Sequence, residues 1–329
     1  AIIDKVKIKP LMTVLILIEI LMTSALFLIN GLGDVWLLIF IIFFRMAASS
    51  FFFTIEMSLF PKILSGIALQ KTNEIHSIIW SFAYAFGMAV SGFVVDKFGP
   101  KFAFGLDLMF FVIAFFYFIK VKIEIEFEKE NEKFTKMVKD GLAYLRSNKK
   151  IIHLILLHCS VGLTAFDALV TLLADYNYKE IIAVPLAIGI TNAVRAFALM
   201  IGPFVISNYV NKNNLFLIFV AQGFAVVLWA ILQFDFYFAL VAMFFVGLFT
   251  TTIWSYTYAL LQEETEQKYL GRVIAYNDMI FMVANILTTA FIGVMASYGV
   301  SLWIITIVLG FAFVLVGFYS RFVIRIVNG

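Results

Sequence analysis

Residues 214–233 read NLFLIFVAQGFAVVLWAILQ, an uninterrupted run without a single Lys, Arg, Asp or Glu. A helix of about 20 apolar residues is long enough to cross the ~30 Å hydrocarbon core of a bilayer. Inside that core every backbone N–H and C=O must be hydrogen-bonded within the protein, which favours a helix over an open strand. The run therefore predicts a transmembrane helix.

Nine further apolar segments accompany this run, each bounded by charges, turns or glycines. The ten segments cover approximately residues 10–30, 35–57, 77–95, 102–121, 152–173, 181–207, 214–233, 236–261, 273–296 and 300–325. Of the 329 residues, 63% are hydrophobic and 14% are charged, whereas a soluble domain has roughly 45–50% apolar and 25% charged residues. We expect an all-α integral membrane protein with ten transmembrane helices.

One long polar stretch, residues 122–150, interrupts the apolar segments. It opens with an acidic cluster and continues with apolar residues at roughly helical spacing beside basic ones. The acidic residues are Glu124, Glu126, Glu128, Glu130 and Glu132; the apolar ones are Phe134, Met137, Val138, Leu142 and Leu145; the basic ones are Lys133, Lys136, Lys139 and Arg146. The pattern predicts an amphipathic helix on the membrane surface, and a solvated linker explains the acidic half equally well. We expect four helices in 1–121, this linker in 122–150 and a six-helix bundle in 151–329.

Lys and Arg residues are distributed unevenly between the two ends of the segments. Of the 24 such residues, nineteen fall on one side, which includes the 122–150 linker and both chain ends, and three fall on the other. Cytoplasmic loops of membrane proteins carry the excess of Lys and Arg. The bias predicts a multi-pass protein of the plasma (inner) membrane whose C-terminus is cytoplasmic.

A weak internal repeat relates two parts of the chain at an offset of about 201 residues. Gly92 in SGFVVDKFGPKFAF matches Gly293 in IGVMASYGVSLWII, and Leu59 matches Leu260. Internal repeats are typical of secondary transporters. Extending the repeat upstream places two more segments before Ala1, so we expect twelve segments in two groups of six, of which the first two are absent from this sequence.

Chemistry other than transport has little support in the sequence. Cys159 is the only cysteine, which excludes a disulfide framework and a thiolate metal cluster. His153 and His158 are five positions apart and do not share a helix face. No phosphate-binding Gly-rich loop and no Gly-x-Ser-x-Gly motif is present. We therefore expect no enzyme, no catalytic residue, no cofactor, no metal and no nucleic-acid partner.

Five stretches of sequence, in order, resemble the major facilitator superfamily of transporters and, within it, the branch of drug and siderophore exporters. They are AIIDKVKIK at 1–9, RMAASSFFFTIEMSLFPKIL at 45–64, residues 73–111, KDGLAYLRSNKKI at 139–151 and YLGRVIA at 269–275. The resemblance implies the two six-helix bundles of that family. It identifies the stretches as the loop after the second helix, the fourth helix, the fifth and sixth helices, the run before the seventh helix and the entry to the eleventh.

The sequence departs from the exporter pattern at two places. Residues 87–92 lack the proline of the fifth-helix exporter signature, and Ser49 stands where the fourth-helix motif has Gly. The turn at residues 96–101 also resembles the family's loop motif. Aligning on that turn would shift every helix by two and misplace the 122–150 linker, so we adopt the first register.

Ionisable side chains inside apolar segments are the candidates for function, because each costs at least ~2.5–3.5 kcal/mol to place at the bilayer centre. Arg45 lies near the middle of the second segment, which the resemblance implies lines the central cavity. A cation there can bind an anionic substrate group, or a carboxylate until a proton or the substrate displaces it. A structural ion pair or a clamp on a carbonyl is the alternative. The resemblance implies that its partner lies on a missing helix.

Three further candidates lie inside other segments. Asp167 belongs to the fifth segment, where a single polar face is expected to contain it together with Ser160, Thr164 and Thr171. This carboxylate can take up and release a proton during transport, or serve only as a hydrogen-bonding residue between helices. Glu19, in the first segment, has the same two interpretations. Arg195, with Asn192, either connects the sixth segment to a neighbour or takes part in coupling.

Asp4, Lys5 and Lys9 are candidates for a gating loop. The resemblance places them at helix ends, where pairing with Arg272 or Asp278 across the two halves can latch one conformation. We expect a proton-coupled secondary exporter of small amphipathic molecules, acting as a monomer in the lipid bilayer. An importer of the same fold, or a polytopic membrane protein or enzyme that does not transport, is the alternative.

Overall fold

The computed structural model describes residues 8–63, 66–122, 134–206, 209–266 and 269–328. The α-helices in these ranges are α1 (Ile8–Ala25), α2 (Val35–Ile63), α3 (Gly66–Phe98), α4 (Pro100–Lys120), α5 (Phe134–Ser147), α6 (Lys149–Cys159), α7 (Asp167–Leu173), α8 (Val184–Ile206), α9 (Leu215–Leu232), α10 (Phe236–Glu264), α11 (Leu270–Ser297) and α12 (Leu302–Asn328). Short 3₁₀ turns cover Leu26–Leu28, Leu32–Asp34 and Ser160–Thr164, and a π turn covers Ala174–Tyr178.

Within the described ranges, nine helical stretches are long and apolar enough to cross a membrane. They are Ile8–Leu28, Leu32–Glu56, Pro100–Lys120, Lys149–Tyr178, Val184–Ile206, Leu215–Leu232, Phe236–Glu264, Leu270–Ser297 and Leu302–Asn328. The predicted all-α membrane architecture is confirmed. The remaining predicted segment, 77–95, falls inside α3, which is not among these nine, so the count of ten spans stays a prediction.

Two glycine turns end long helices where the repeat predicts tight connections. Gly99 has φ +81° and is followed by Pro100 at the first position of α4. Gly299 has φ +78° and joins α11 to α12. A positive φ is unfavourable for residues with a Cβ, and proline is favoured at the start of a helix because its missing N–H is not needed there.

The chain divides into two compact units, which are described separately. Unit 1 comprises Ala1–Phe82 and Phe93–Glu132, and unit 2 comprises Ala83–Gly92 and Lys133–Gly329. In unit 1, α1 packs against α2 and α4 around a small core. In unit 2, α9 packs against α12 and α8 against α10, around a larger core to which α6 contributes Leu154 and Leu157.

Close helix packing in unit 2 depends on small residues. A Cβ added to Gly223 of α9 would lie 2.7 Å from the carbonyl oxygen of Gly310 in α12. A Cβ added to Gly92 would lie 2.6 Å from the carbonyl oxygen of Pro185. At Gly293, the repeat counterpart of Gly92, no atom of a described residue lies within 4 Å of the equivalent position. Small residues let membrane helices approach closely, so the repeated glycine has a packing role in only one of its two copies.

The amphipathic helix predicted in the polar stretch is present as α5. Its residues Tyr144 and Leu145 are buried, and the Tyr144 ring stacks on that of Tyr269 with centroids 4.2 Å apart. Leu142, predicted to lie on the apolar face, is exposed. Gly141, and not Leu142, lies on the side of α5 that packs against α11, because a Cβ added to Gly141 would lie 3.2 Å from Cβ of Arg272. The acidic residues Glu124–Glu132 lie outside the described residues.

Candidate functional site

The first candidate cluster lies in unit 1, where Arg45 of α2 meets two carboxylates. Its Nε donates to Oε2 of Glu19 in α1 at 3.2 Å, and its Nη2 donates to Oδ2 of Asp107 in α4 at 2.5 Å. The Glu19 side chain is 6% exposed, that of Arg45 28% and that of Asp107 39%. The guanidinium carbon also lies 5.4 Å from the ring centre of Phe111. One cation therefore connects three helices.

The cluster contains one cationic and two anionic groups when both carboxylates are ionised. With both carboxylates ionised, one guanidinium faces two negative charges, and a single added proton makes the group neutral. Charged groups at membrane depth are stable only when they are paired or face water. The pairing thus makes Arg45 tolerable in an apolar helix.

The resemblance implied a partner for Arg45 on a helix outside this sequence, and that stays a prediction, but the structure gives Arg45 two partners of its own. Both partners belong to described helices, α1 and α4. Asp107 was missed as a candidate, although it is the only Asp, Glu, Lys or Arg between Lys101 and Lys120. The criterion that selected Glu19, a charge inside an apolar segment, would have found it.

The second candidate cluster lies in unit 2 around Arg195 of α8. Its Nη2 donates to the backbone carbonyl oxygen of Thr164 at 2.8 Å, and its Nη1 lies 3.7 Å from Oδ1 of Asp167. The guanidinium carbon is 5.6 Å from the ring centre of Phe166. Arg195 is buried, whereas the Asp167 side chain is 65% exposed. The structure therefore brings together two predicted site residues, and Arg195 connects α8 to the segment before it through the Thr164 carbonyl.

The sequence predicts one continuous helix for the segment that contains Asp167, but the structure shows a break in it. α6 ends at Cys159, a 3₁₀ turn follows, and α7 begins at Asp167. At the break, the amide of Phe166 donates to the carbonyl oxygen of Thr164 at 2.7 Å, an oxygen that also accepts from Arg195. The expected polar stripe is consequently absent as a single face, because helical spacing does not continue through the break. Non-helical backbone at membrane depth is tolerated only where protein or water satisfies it.

Two donors of Arg195 are left unused. Its Nε and Nη1 are buried and have no hydrogen-bond partner among the described residues, and the same is true of Oδ1 of Asn192. Most buried polar groups in folded proteins are hydrogen-bonded. A buried guanidinium with unused N–H groups beside an exposed carboxylate can therefore donate to a further acceptor.

The predicted gating residues that the structure describes, Lys9, Arg272 and Asp278, have contacts within their own units. Lys9 donates from Nζ to the carbonyl oxygen of Ile119 at 2.8 Å. Asp278 accepts from Nδ2 of Asn277 at 3.2 Å, and the guanidinium of Arg272 lies 5.8 Å from the Tyr269 ring. Arg272 and Asp278 are six positions apart on α11, about 240° around the helix, and do not share a face. Asp4 and Lys5 lie outside the described residues, so the latch stays a prediction.

An aromatic cluster surrounds His158, and no sequence pattern predicted this cluster. Nδ1 of His158 lies 2.9 Å from Oγ1 of Thr257, and three rings surround the imidazole, those of Trp254, Tyr258 and Phe281. Trp254 and Tyr258 stack with centroids 5.0 Å apart, and Trp254 is 40% exposed. Among the described residues, no three His, Cys, Asp or Glu side chains form a group that could hold a metal.

Comparison with known proteins identifies a matching family and a solved structure with a similar fold. A family model described as Major Facilitator Superfamily matches residues 1–288. The crystal structure of a point variant of the E. coli fucose:proton symporter is similar, with a TM-score of 0.60 and 13% sequence identity, over 98% of this chain and 85% of that chain. At this identity the likeness is one of fold. No curated protein matches the chain.

Proposed function

This chain belongs to the major facilitator superfamily and is a secondary transporter, not an enzyme, and from that premise we propose that it exports small amphipathic molecules by proton-driven alternating access. The observation that carries the proton coupling is the contact of Arg45 with both Glu19 and Asp107. A proton-driven transporter needs a group whose protonation changes the contacts between helices, and the two carboxylates on Arg45 are the candidates for it.

Protonation would act on the cluster through competition for one guanidinium. An ionised carboxylate binds Arg45 with a charge-assisted hydrogen bond, roughly twice as strong as a neutral one. When a proton neutralises Glu19 or Asp107, Arg45 is held by the carboxylate that remains ionised. The contact of α2 with the helix that carries the protonated carboxylate then weakens, while its contact with the other helix remains. Proton binding would in this way change helix packing.

The broken segment in unit 2 supports a substrate site near Arg195. Transporters commonly build such sites from discontinuous helices, whose unpaired backbone groups are available to a ligand. Here Arg195 and Asp167 supply opposite charges beside the break, and Trp254 and Tyr258 supply apolar surface elsewhere in the unit. A molecule with both polar and apolar parts fits this combination.

Orientation and gating belong to the same proposal. The excess of Lys and Arg in the 122–150 stretch and at both chain ends supports a plasma-membrane protein whose C-terminus is cytoplasmic. The residues Asp4, Lys5 and Lys9 would latch one conformation with Arg272 or Asp278. We also expect the transporter to act as a monomer.

Flux measurements in proteoliposomes test the proposal. Purified protein, including any residues encoded upstream of Ala1, is reconstituted, and efflux of dye-like amphipathic cations and anions is followed under an imposed pH gradient. Proton-driven flux is expected in the wild type and is expected to be lost in Arg45→Ala and Asp167→Asn while both variants remain folded. Unchanged flux in both variants would contradict the coupling assignment.

Proton-driven uptake is the second candidate function. The solved structure with the similar fold is named a fucose:proton symporter, and the Arg45 cluster serves uptake as well as export. The direction in which substrate moves relative to the proton gradient distinguishes the two. Substrate that accumulates on the side to which protons flow indicates a symporter.

A further inference from the structure

A charged pocket of about 330 Å³ lies in unit 2 at one end of helices α9 and α12. Its lining includes three basic side chains, Lys212, Arg321 and Arg325, together with the ring of Phe216. Lys212 precedes α9, which begins at Leu215, and the two arginines belong to the last turns of α12. The pocket is thus at the end of two membrane spans and does not overlap the residues proposed for coupling or substrate.

The packing of α9 against α12 explains why the basic residues converge. The two helices approach closely at Gly223 and Gly310. Arg321 and Arg325 are four positions apart, so they lie on the same face of α12. The guanidinium carbon of Arg321 is 3.6 Å from the ring centre of Phe216, and this stacking leaves the N–H edge of Arg321 free to donate.

The pocket has more positive than negative charge. Lys212 pairs with Glu264 at 3.3 Å, but Glu264 also pairs with Lys150, so one carboxylate is shared by two lysines. Arg321 and Arg325 make no ion pair with any residue in the described part of the chain. Both guanidinium groups lie on one helix face, are exposed, and are therefore available to an anion.

Apolar surface continues from the pocket along the same two helices. Leu217 of α9 and Phe318 and Phe322 of α12 are each at least half exposed, as expected for side chains that face lipid tails. A ligand in the pocket therefore has a charged contact at one end and a hydrocarbon contact beside it. Soluble anions match only the first of these.

We propose that this pocket binds the phosphate headgroup of an anionic phospholipid. Guanidinium groups bind phosphate oxygens with paired N–H donors, and basic pockets between spans on the cytoplasmic side are a recurrent form of lipid headgroup site. The positive end of α9 lies beside the same pocket and favours the anion further. The acyl chains lie along Leu217 and Phe318.

Lipid binding to the purified protein tests the proposal. The protein in neutral detergent is titrated with short-chain phosphatidylglycerol and, separately, with phosphatidylcholine, and bound lipid is counted by native mass spectrometry. We expect phosphatidylglycerol to bind more tightly, and the Arg321→Gln/Arg325→Gln variant to lose about tenfold or more of this affinity, given the ~1 kcal/mol that each basic residue contributes near anionic lipid. Arg146→Gln, at an exposed position of α5, serves as the matched control and should bind like the wild type.

Two further arms make the result decisive. Arg321→Lys/Arg325→Lys keeps the charge and should retain most of the preference, which separates lost binding from lost folding if the glutamine variant is unstable. Glycerol phosphate, which lacks acyl chains, should not compete at concentrations that saturate phosphatidylglycerol. Equal affinity of the wild type for the two lipids, or full competition by glycerol phosphate, would overturn the proposal.

Discussion

Arg45 in α2 donates from Nη2 to Oδ2 of Asp107 in α4 over 2.5 Å, inside two helices whose remaining residues in this region are mainly apolar. The same guanidinium holds Glu19 of α1. An ion pair at this depth is costly to form without further contacts, and the second carboxylate and the Phe111 ring supply them. The consequence is a three-helix contact that is held together by one cation and two carboxylates.

Neutralising either carboxylate should uncouple transport from protons. Asp107→Asn and Glu19→Gln keep the shape of the side chain but cannot exchange a proton, so proton-driven flux should fall by about tenfold or more, which corresponds to ~1.4 kcal/mol. Substrate exchange without a pH gradient should persist. Flux assays in proteoliposomes measure both quantities. Glu180→Gln, an exposed carboxylate between two spans, is the control. Coupled flux at the wild-type level in both test variants would exclude a role for the cluster in coupling.

Removing Arg45 should destabilise unit 1. Arg45→Ala leaves Glu19 and Asp107 without a counter-ion, and we expect a loss of about 1–3 kcal/mol in the free energy of unfolding, less than the 3–5 kcal/mol of a fully buried pair because Arg45 is partly exposed. Denaturant unfolding in detergent measures this. Adding Asp107→Asn and Glu19→Gln to Arg45→Ala should restore part of the stability. If the triple variant has a lower free energy of unfolding than Arg45→Ala, the charge balance of this cluster does not determine the stability of unit 1.

Arg195 should stabilise the break between α6 and α7. Arg195→Gln removes the donor to the Thr164 carbonyl, and a buried acceptor that loses a charged donor costs about 1–3 kcal/mol. Thermal unfolding should show the loss. Hydrogen exchange should rise in the backbone amides of residues 160–170. Thr171→Ala is the control, because its hydroxyl donates to the carbonyl oxygen of Asp167 within its own helix. Unaltered exchange in this segment would contradict the assignment.

The two glycines matched by the internal repeat should respond differently to the same substitution. Gly92→Ala places a Cβ 2.6 Å from the Pro185 oxygen and 2.9 Å from Cα of Gly189, and overpacking of this kind costs about 1–3 kcal/mol. Gly293→Ala meets no atom of a described residue within 4 Å and should be neutral or slightly stabilising. Thermal unfolding of both variants tests the difference. Equal effects would mean that helix propensity, and not packing, determines the result.

The sequence by itself was sufficient to predict where most of the helices lie and to which family the chain belongs. Apolar length, charge distribution and the Gly99–Pro100 turn are local properties, and each acts on the backbone within one or two helical turns. For this reason the nine described spans closely follow predicted segments, and α5 was expected where it occurs. The candidates Glu19, Arg45, Asp167 and Arg195 were also selected locally, as charges that lipid does not tolerate.

Only the tertiary structure decided which of these charges meet. Arg45 is 26 residues from Glu19 and 62 from Asp107, and their contact depends on which faces of α1, α2 and α4 pack together. The break before Asp167 is of the same kind, because a broken and a continuous helix have the same hydropathy. It is stabilised by Arg195, 31 residues away from Thr164. Pairing across helices depends on packing geometry, which the order of residues along one helix does not contain.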